Sequence, residues 1–112
     1  MIMLYGIPNC DTLKKARRWL QEHDIAHVFH NYRKDGIDDA LLAQFDAMVG
    51  WEVLLNKRGT TWRALDDAVK EGIDRDTALA LMREHPALIK RPVLINGDTC
   101  LVGFDPDAYA KL

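Results

Sequence analysis

The beginning of the chain follows a strand–helix–strand pattern, which restricts the fold more than any other feature. Residues 1–5 are apolar and lead into a glycine and a proline, as a buried strand leads into a loop. Apolar residues recur at helical spacing over residues 12–23, and residues 26–30 have the composition of a second strand. Two strands joined by a helix lie parallel with a right-handed crossover, so the chain is predicted to begin with a βαβ unit.

A helical pattern occupies the middle of the chain, from residue 36 to residue 86, and contains no strand pattern. It predicts a helix ending at Gly50, a short one around residues 51–55, one over 62–70 capped by Thr61, and one over 77–85 capped by Asp74 or Asp76.

The last part of the chain returns to the strand period. Apolar residues 92–95 and the segment 98–102 flank an Asn-Gly pair at 96–97. This predicts a hairpin with a type I′ turn, because both turn residues tolerate positive φ. An Asp-Pro pair at 105–106 predicts the N-cap and first residue of a short final helix.

Together these elements predict one α/β domain over residues 1–112, with a four-stranded mixed sheet and helices packed on it. This is the layout of the thioredoxin/glutaredoxin core. Residues 1–35 and 87–112 would form that core, and residues 36–86 would be an inserted helical subdomain.

Composition excludes several other classes of protein. The chain is 48% hydrophobic and 29% charged, which argues against disorder. A net charge of -2 gives no overall attraction to nucleic acid, so no direct nucleic-acid binding is expected. No apolar run approaches the roughly 20 residues that span a bilayer, and the start lacks a signal peptide pattern. We therefore expect a cytoplasmic protein that does not bind membranes.

Cys10 stands where the first predicted strand gives way to the first helix. The amides and partial positive charge of a helix N-terminus favour a thiolate, so a cysteine there can have a low pKa. Asp11 opposes this shift, because a neighbouring carboxylate disfavours the thiolate. A cysteine that only packs in the core is the alternative, but its context favours a reactive thiol.

No second thiol stands at the usual position of a resolving cysteine. Leu13 occupies the place where a dithiol reductase has that cysteine, and the chain has no C-x-x-C pair. Cys100 falls in a predicted strand, where a small sheet residue is the simpler interpretation. A resolving thiol would come from glutathione, from a partner protein or from Cys100.

Arg91 and Pro92 form the second part of the predicted site. A proline belongs at the start of a strand, and in thioredoxin-like folds a cis-proline there faces the nucleophilic cysteine. Arg91 would then hold an oxyanion or carboxylate near Cys10 through its planar guanidinium. A solvated surface arginine is the alternative interpretation.

Three residues around Cys10 complete the predicted site. Asn9 and Thr12 are expected to form hydrogen bonds near the thiolate, and Lys14 is a secondary cation of the first helix. A solvated basic helix face is the alternative for Lys14 and its neighbours.

No metal or tightly bound cofactor is expected. His27 and His30 are three residues apart on a predicted strand, where they would point to opposite faces. The sequence also contains no P-loop and no G-x-G-x-x-G motif.

The segments LYGIPNCDTLKKARRWL, GTTWRAL and HPALIKRPVLI resemble the ArsC/Spx (arsenate reductase-like) family, most of all its YffB branch of small proteins. The resemblance covers nearly the whole chain. It implies a thioredoxin-like core with an inserted helical subdomain, a nucleophile at Cys10 and a retained arginine at Arg91. For the YffB branch it implies a glutathione-dependent thiol reductase.

The sequence departs from the arsenate reductases of this family, which surround the oxyanion with three arginines. Arg91 is retained, but Asn56 stands in the place of a second arginine, although Lys57 and Arg58 follow. Gly103 or its neighbours take the place of the third. Each lost arginine removes a charge-assisted hydrogen bond, so thiol chemistry is favoured over arsenate reduction.

Two functions remain open from the sequence. The resemblance implies an arsenate reductase-like oxidoreductase that uses glutathione as co-substrate, or glutaredoxin as partner. The alternative is a Spx-like regulator that binds RNA polymerase without catalytic turnover, although Leu13 removes the C-x-x-C switch usual in that branch. Cys10 at a helix start favours the enzyme, and the missing arginines favour the regulator.

Overall fold

The structure is a computed structural model that describes all 112 residues. Its strands are β1 Ile2–Gly6, β2 His27–Asn31, β3 Val93–Asn96 and β4 Thr99–Val102. Its α-helices are α1 Asp11–Glu22, α2 Tyr32–Asp35, α3 Asp39–Val49, α4 Trp51–Leu54, α5 Thr60–Arg63, α6 Asp67–Glu71, α7 Arg75–Glu84 and α8 Pro106–Tyr109. One 3-10 helix covers Pro86–Leu88.

Contacts between Cα atoms divide the chain into two compact units. The first, called the sheet unit below, contains residues 1–36 and 91–112 and therefore joins both ends of the chain. The second, called the helical unit, contains residues 37–90. No helix in the structure is long and apolar enough to cross a membrane.

The sheet unit contains all four strands, in the order β2-β1-β3-β4. β1 pairs in parallel with β2 and antiparallel with β3, and β3 pairs antiparallel with β4. The predicted α/β class with a four-stranded mixed sheet is therefore confirmed. α1 makes the predicted crossover between the parallel strands β1 and β2.

One face of the sheet is covered by helices of the same unit. Leu4 pairs with Leu94, and Leu94 with Leu101, so these side chains lie in one row across three strands. Their face packs against α1 and α8 in a core cluster that includes Leu13 and Tyr109. Burial of this apolar surface is the main source of stability for the unit.

The opposite face carries the next row of side chains. Tyr5 pairs with Val93, which pairs with Val102, and His30 lies beside Tyr5 on β2. Since neighbouring residues of a strand point to opposite faces, this row is separated by the sheet from the leucine row.

β3 and β4 form the predicted hairpin, but the predicted type I′ turn at Asn96-Gly97 is wrong. Asn96 pairs with Thr99, so the two turn residues are Gly97 and Asp98. Gly97 has a φ of 60°, whereas Asp98 is not among the residues with positive φ. Positive φ at only the first central residue is typical of a type II′ turn, for which one glycine is enough.

The helical unit is built around the packing of α3 on α7. Leu42 and Phe45 of α3 and Met82 of α7 are fully buried. Arg75 at the start of α7 donates a hydrogen bond from Nε to Asp46 Oδ2 of α3 at 2.7 Å.

The prediction of one helix over residues 62–70 is wrong. The chain forms the two short helices α5 and α6 there, and Gly59 rather than Thr61 is the N-cap of α5. Asp66 interrupts the helix because its backbone is extended, with ψ at 144°, and it serves as the N-cap of α6. Aspartate is favoured at such caps over helix interiors.

Other predicted helix ends are confirmed, including the end of α3 at Gly50 and the cap of α8 at Asp105. Of the two candidate caps for α7, Asp74 is the cap rather than Asp76. Asp74 Oδ1 accepts from Thr77 N at 2.9 Å, and Asp74 N donates to Thr77 Oγ1 at 2.9 Å, which makes a capping box. α2 and the 3-10 helix were not predicted.

Leu94→Ala tests the core of the sheet unit. Leu94 is completely buried, and its truncation should lower the free energy of unfolding by about 2–5 kcal/mol through lost burial and a cavity. Denaturant unfolding followed by circular dichroism measures this loss. Val28→Ala is the control, because Val28 is 44% exposed, and it should cost less than about 1 kcal/mol. Equal losses in the two variants would contradict this assignment of the core.

Candidate active site

Cys10 is the N-cap residue of α1, with extended backbone at φ -140° and ψ 120°. The loop between β1 and α1 brings it to the C-terminal end of β1. Its side chain is half-buried and packs against the core cluster on the leucine face of the sheet. The predicted place of Cys10 at a strand–loop–helix junction is confirmed.

Arg91 reaches the same end of the sheet from the other end of the chain. Tyr5 near the end of β1 pairs with Val93 at the start of β3, so the residues just before β3 lie beside the loop that holds Cys10. The Arg91–Pro92 peptide bond is cis, as expected for this fold. The Arg91 side chain donates a hydrogen bond to the sulfur of Cys10.

The surroundings of Cys10 hold its pKa below the usual value for a thiol. Partial burial is the largest single effect and raises the pKa. The hydrogen bond from Arg91, the amide of Leu13, the charge of Arg91 and the amide of Thr12 act in the other direction and together outweigh it. The sulfur does not form a full N-cap hydrogen bond, but the helix amides still favour the thiolate.

The other residues predicted near the thiol take different places. Pro92 is buried, and its carbonyl accepts a hydrogen bond from Gly103 N at 2.9 Å. Thr12 acts on Cys10 through its backbone amide, while its side chain is exposed. Asn9 and Lys14 are exposed, and neither is among the groups that shift the pKa of Cys10. Their roles as ligand-binding residues stay predictions.

Cys100 points away from Cys10. It lies in β4 next to Leu101, which packs against the cluster that Cys10 also contacts. Because side chains alternate along a strand, Cys100 belongs to the opposite face of the sheet. Burial raises the pKa of the Cys100 thiol, so it is the less reactive of the two cysteines.

Neither position that departs from the family's arginines supplies a cation. Gly103 has a φ of 81°, a backbone conformation that favours glycine over arginine. Asn56 belongs to the helical unit, where its Oδ1 accepts a hydrogen bond from Arg58 N at 3.1 Å. Lys57 lies over the ring of Trp62, with Nζ 5.4 Å from the ring centroid.

An aromatic pair on the Tyr5 face, at the same end of the sheet as Cys10, was not predicted from the sequence. Tyr32, the first residue of α2, is only 3% exposed, and its ring stacks on Tyr5 with centroids 6.4 Å apart. Its hydroxyl has no hydrogen-bond partner within the protein. The predicted parallel pairing of the first two strands could have indicated this position. Tyr32 directly follows β2, so it lies beside the loop that follows β1.

His27 and His30 each contact a different backbone carbonyl oxygen. His27 Nδ1 lies 3.0 Å from Ile25 O, and His30 Nε2 lies 2.7 Å from Gly36 O. The structure contains no group of three or more His, Cys, Asp or Glu side chains that could hold a metal ion.

Comparison with known proteins gives the family. Residues 5–112 match the ArsC family. A solved structure of a protein named YffB is 51% identical, with a TM-score of 0.94 over 99% of this chain and 97% of that one. An arsenate reductase (ArsC) related protein from Brucella melitensis is 45% identical, with a TM-score of 0.82 over 98% of this chain and 92% of that one.

Another relative is named as a transcriptional regulator. The global transcriptional regulator Spx of Bacillus subtilis is 30% identical over 113 aligned positions, which cover 99% of this chain and 86% of the regulator. The chain belongs to the ArsC family, as the sequence motifs indicated.

Arg91→Met tests the contact with Cys10. Loss of a charged hydrogen-bond donor should raise the pKa of Cys10 and slow its alkylation by neutral iodoacetamide at pH 7 by roughly 3- to 10-fold. The measurement is the pH dependence of alkylation, read at Cys10 by peptide mass spectrometry. Arg18→Met, at an exposed position of α1, is the control and should leave the profile unchanged. Identical profiles for the two variants would show that Arg91 does not stabilise the thiolate.

Proposed function

We propose that this member of the ArsC family is a glutathione-linked thiol–disulfide reductase with Cys10 as its one nucleophile. The observation that carries the proposal is the Arg91 hydrogen bond to Cys10 at the start of α1, which holds the pKa of the thiol below its usual range. The thiolate is the nucleophile in disulfide exchange, so this arrangement raises the reactive fraction of Cys10 near neutral pH.

In the first step, the Cys10 thiolate attacks one sulfur of a substrate disulfide. A bond forms between Cys10 and that sulfur, the substrate S–S bond breaks, and the other sulfur leaves as a thiolate. When the substrate is a mixed disulfide with glutathione, attack on the glutathione sulfur leaves glutathione bound to Cys10 and releases the substrate thiolate.

The second step requires a thiol from another molecule. Leu13 cannot resolve the adduct, and Cys100 lies on the opposite face of the sheet. A glutathione thiolate attacks the glutathione sulfur of the adduct, which releases oxidised glutathione and restores the Cys10 thiolate. Glutathione is thus a co-substrate, and a glutaredoxin could supply the same thiol. The reducing cytoplasm, where glutathione stays reduced, is the compartment that suits this cycle.

Arg91 has a second role in this proposal, which is to hold an anionic group of glutathione or of the substrate. The guanidinium is half-buried beside the thiol, and its planar donors match a carboxylate. Asn9, Thr12 and Lys14 lie within four residues of Cys10 along the chain and have exposed side chains, so they are available to a bound peptide. Pro92 would form part of the wall against which that peptide packs.

Disulfides fit the site better than arsenate does. An arsenate oxyanion would gain from several cations, and within the sheet unit the position at Gly103 supplies none. A disulfide places no comparable charge at the reacting atoms.

Exposure of the protein to oxidised glutathione tests the proposal. Mass spectrometry should find a single glutathione adduct, and peptide mapping should place it on Cys10. Cys100→Ser should retain the adduct and Cys10→Ser should lose it, and reduced glutathione should then remove it from the wild-type chain. A wild-type chain that forms no adduct at Cys10 would overturn the reductase proposal.

A second candidate is a regulator that binds RNA polymerase. The observation in its favour is the 30% identity to the Spx regulator over almost the whole chain. In that case Cys10 would be vestigial or regulatory, and the exposed basic residues Lys57 and Arg58 would belong to the contact surface.

Retention of purified RNA polymerase on the immobilised protein at low salt tests this candidate. A regulator should retain the polymerase, and Lys57→Glu with Arg58→Glu should weaken retention. Lys14→Glu with Lys15→Glu is a control with the same change of charge on α1. No retention by the wild-type chain would exclude the candidate.

A further inference from the structure

Four cations lie close together on α1 and form no ion pair within the chain. They are Lys14, Lys15, Arg17 and Arg18, and all four are exposed. The ion pairs of the structure involve other basic residues, on α6 and α7. The protein has a net charge of -2, so this basic face of α1 is a local exception to its overall charge.

The basic face begins one helical turn from the reactive thiol. Lys14 N donates a hydrogen bond to Cys10 O at 3.0 Å, so Lys14 follows Cys10 on the same side of the helix. Arg17 and Arg18 come one turn after Lys14 on that side. At 1.5 Å per residue, these cations are spread over about 6 to 12 Å from Cys10 along the helix axis.

Packing of α1 on the sheet fixes where these cations stand. Leu13, Ala16 and Leu20 on the other side of the helix are buried in the core cluster, so the helix cannot turn about its axis. Arg17 also lies against β2, with Cζ 4.8 Å from the ring centroid of Phe29. The basic face therefore has a fixed position relative to the thiol.

The stability of α1 does not account for its basic face. Like charges three or four residues apart on a helix repel each other, as Lys14 and Lys15 both do with Arg18. The helix dipole favours cations in the last turn, and α1 has none there. A negatively charged partner outside the chain would relieve the repulsion.

We propose that the basic face of α1 selects acidic polypeptides as the disulfide substrates of Cys10. The inference rests on the proposed function, because it names the class of substrate for the same thiol. Nucleic acids and lipid membranes are also anionic, but they carry no disulfide that could react with Cys10. An extended chain advances about 3.3 Å per residue, so the matching Asp or Glu residues stand about two to four residues from the reacting cysteine.

The basic face acts on the approach of the substrate rather than on the thiol. None of its cations is among the groups that lower the pKa of Cys10, whereas Arg91 is. Exposed cations attract an acidic chain over about 10 Å at 0.1 M salt and raise its rate of association. The preference for acidic substrates should therefore appear in the rate constant and disappear at high salt.

Alkylating peptides that differ only in charge test this role. Each peptide carries an iodoacetyl group at its N-terminus and either Glu or Lys at its second and fourth positions. The ratio of their rate constants at Cys10, read by peptide mass spectrometry, measures the preference for an acidic chain. The Glu peptide should react roughly 10-fold faster at low salt, and within about 2-fold of the Lys peptide at 1 M salt.

Lys15→Gln with Arg18→Gln removes two cations from the basic face and should lower the Glu-to-Lys ratio at low salt by roughly 3-fold. Neutral iodoacetamide should react with this variant within about 2-fold of the wild-type rate, because neither cation lowers the pKa of Cys10. Arg63→Gln with Lys111→Gln is the matched control. It gives the same net charge through exposed positions outside α1 and should leave the ratio unchanged.

A wild-type ratio near 1 at low salt would overturn the preference for acidic substrates. An equal fall of the ratio in the two double variants would also overturn it, because net charge alone would then be the cause. These reagents do not require disulfide exchange, so the result is separate from that of the glutathione adduct. Absence of that adduct would overturn the reductase proposal instead.

Discussion

The hydrogen bond between the Arg91 guanidinium and the Cys10 sulfur is the contact on which the proposed chemistry of this protein depends. Burial alone would raise the pKa of Cys10, and the arginine together with the helix amides reverses that effect. The contact exists because β1 and β3 are adjacent in the sheet, with Tyr5 opposite Val93. The core that holds these strands in register therefore also sets the reactivity of the thiol, although it contains no catalytic group.

The two cysteines lie on opposite faces of the sheet. Cys10 packs with the leucine row, whereas Cys100 belongs to the face that carries Tyr5 and His30. In the proposed reaction, the adduct would form at Cys10 alone and a thiol of another molecule would resolve it. The proposed need for an external thiol would thus follow from the strand register, which puts Cys100 on the other face of the sheet.

Several features could be predicted from the sequence because they depend on neighbours along the chain. The βαβ unit, the hairpin and the cap at Asp105 follow from short-range periodicity and turn chemistry. Two local predictions were wrong, the single helix over residues 62–70 and the turn at residues 96–97. The segment 62–70 has a helical pattern, yet Asp66 adopts an extended backbone and divides it. The turn contains Gly97 and Asp98, because pairing of Asn96 with Thr99 sets the register.

Local signals along the chain are enough to place Cys10 at a helix start, since strand, loop and helix patterns all lie within a few residues of it. It also identified the family through motifs spread along the chain. The direction of the pKa shift at Cys10 depends on tertiary contacts, because burial raises the pKa and the hydrogen bond from Arg91, a residue distant in sequence, is the largest of the effects that lower it. The same reason applies to Tyr32, whose ring stacks on Tyr5 because β2 pairs with β1.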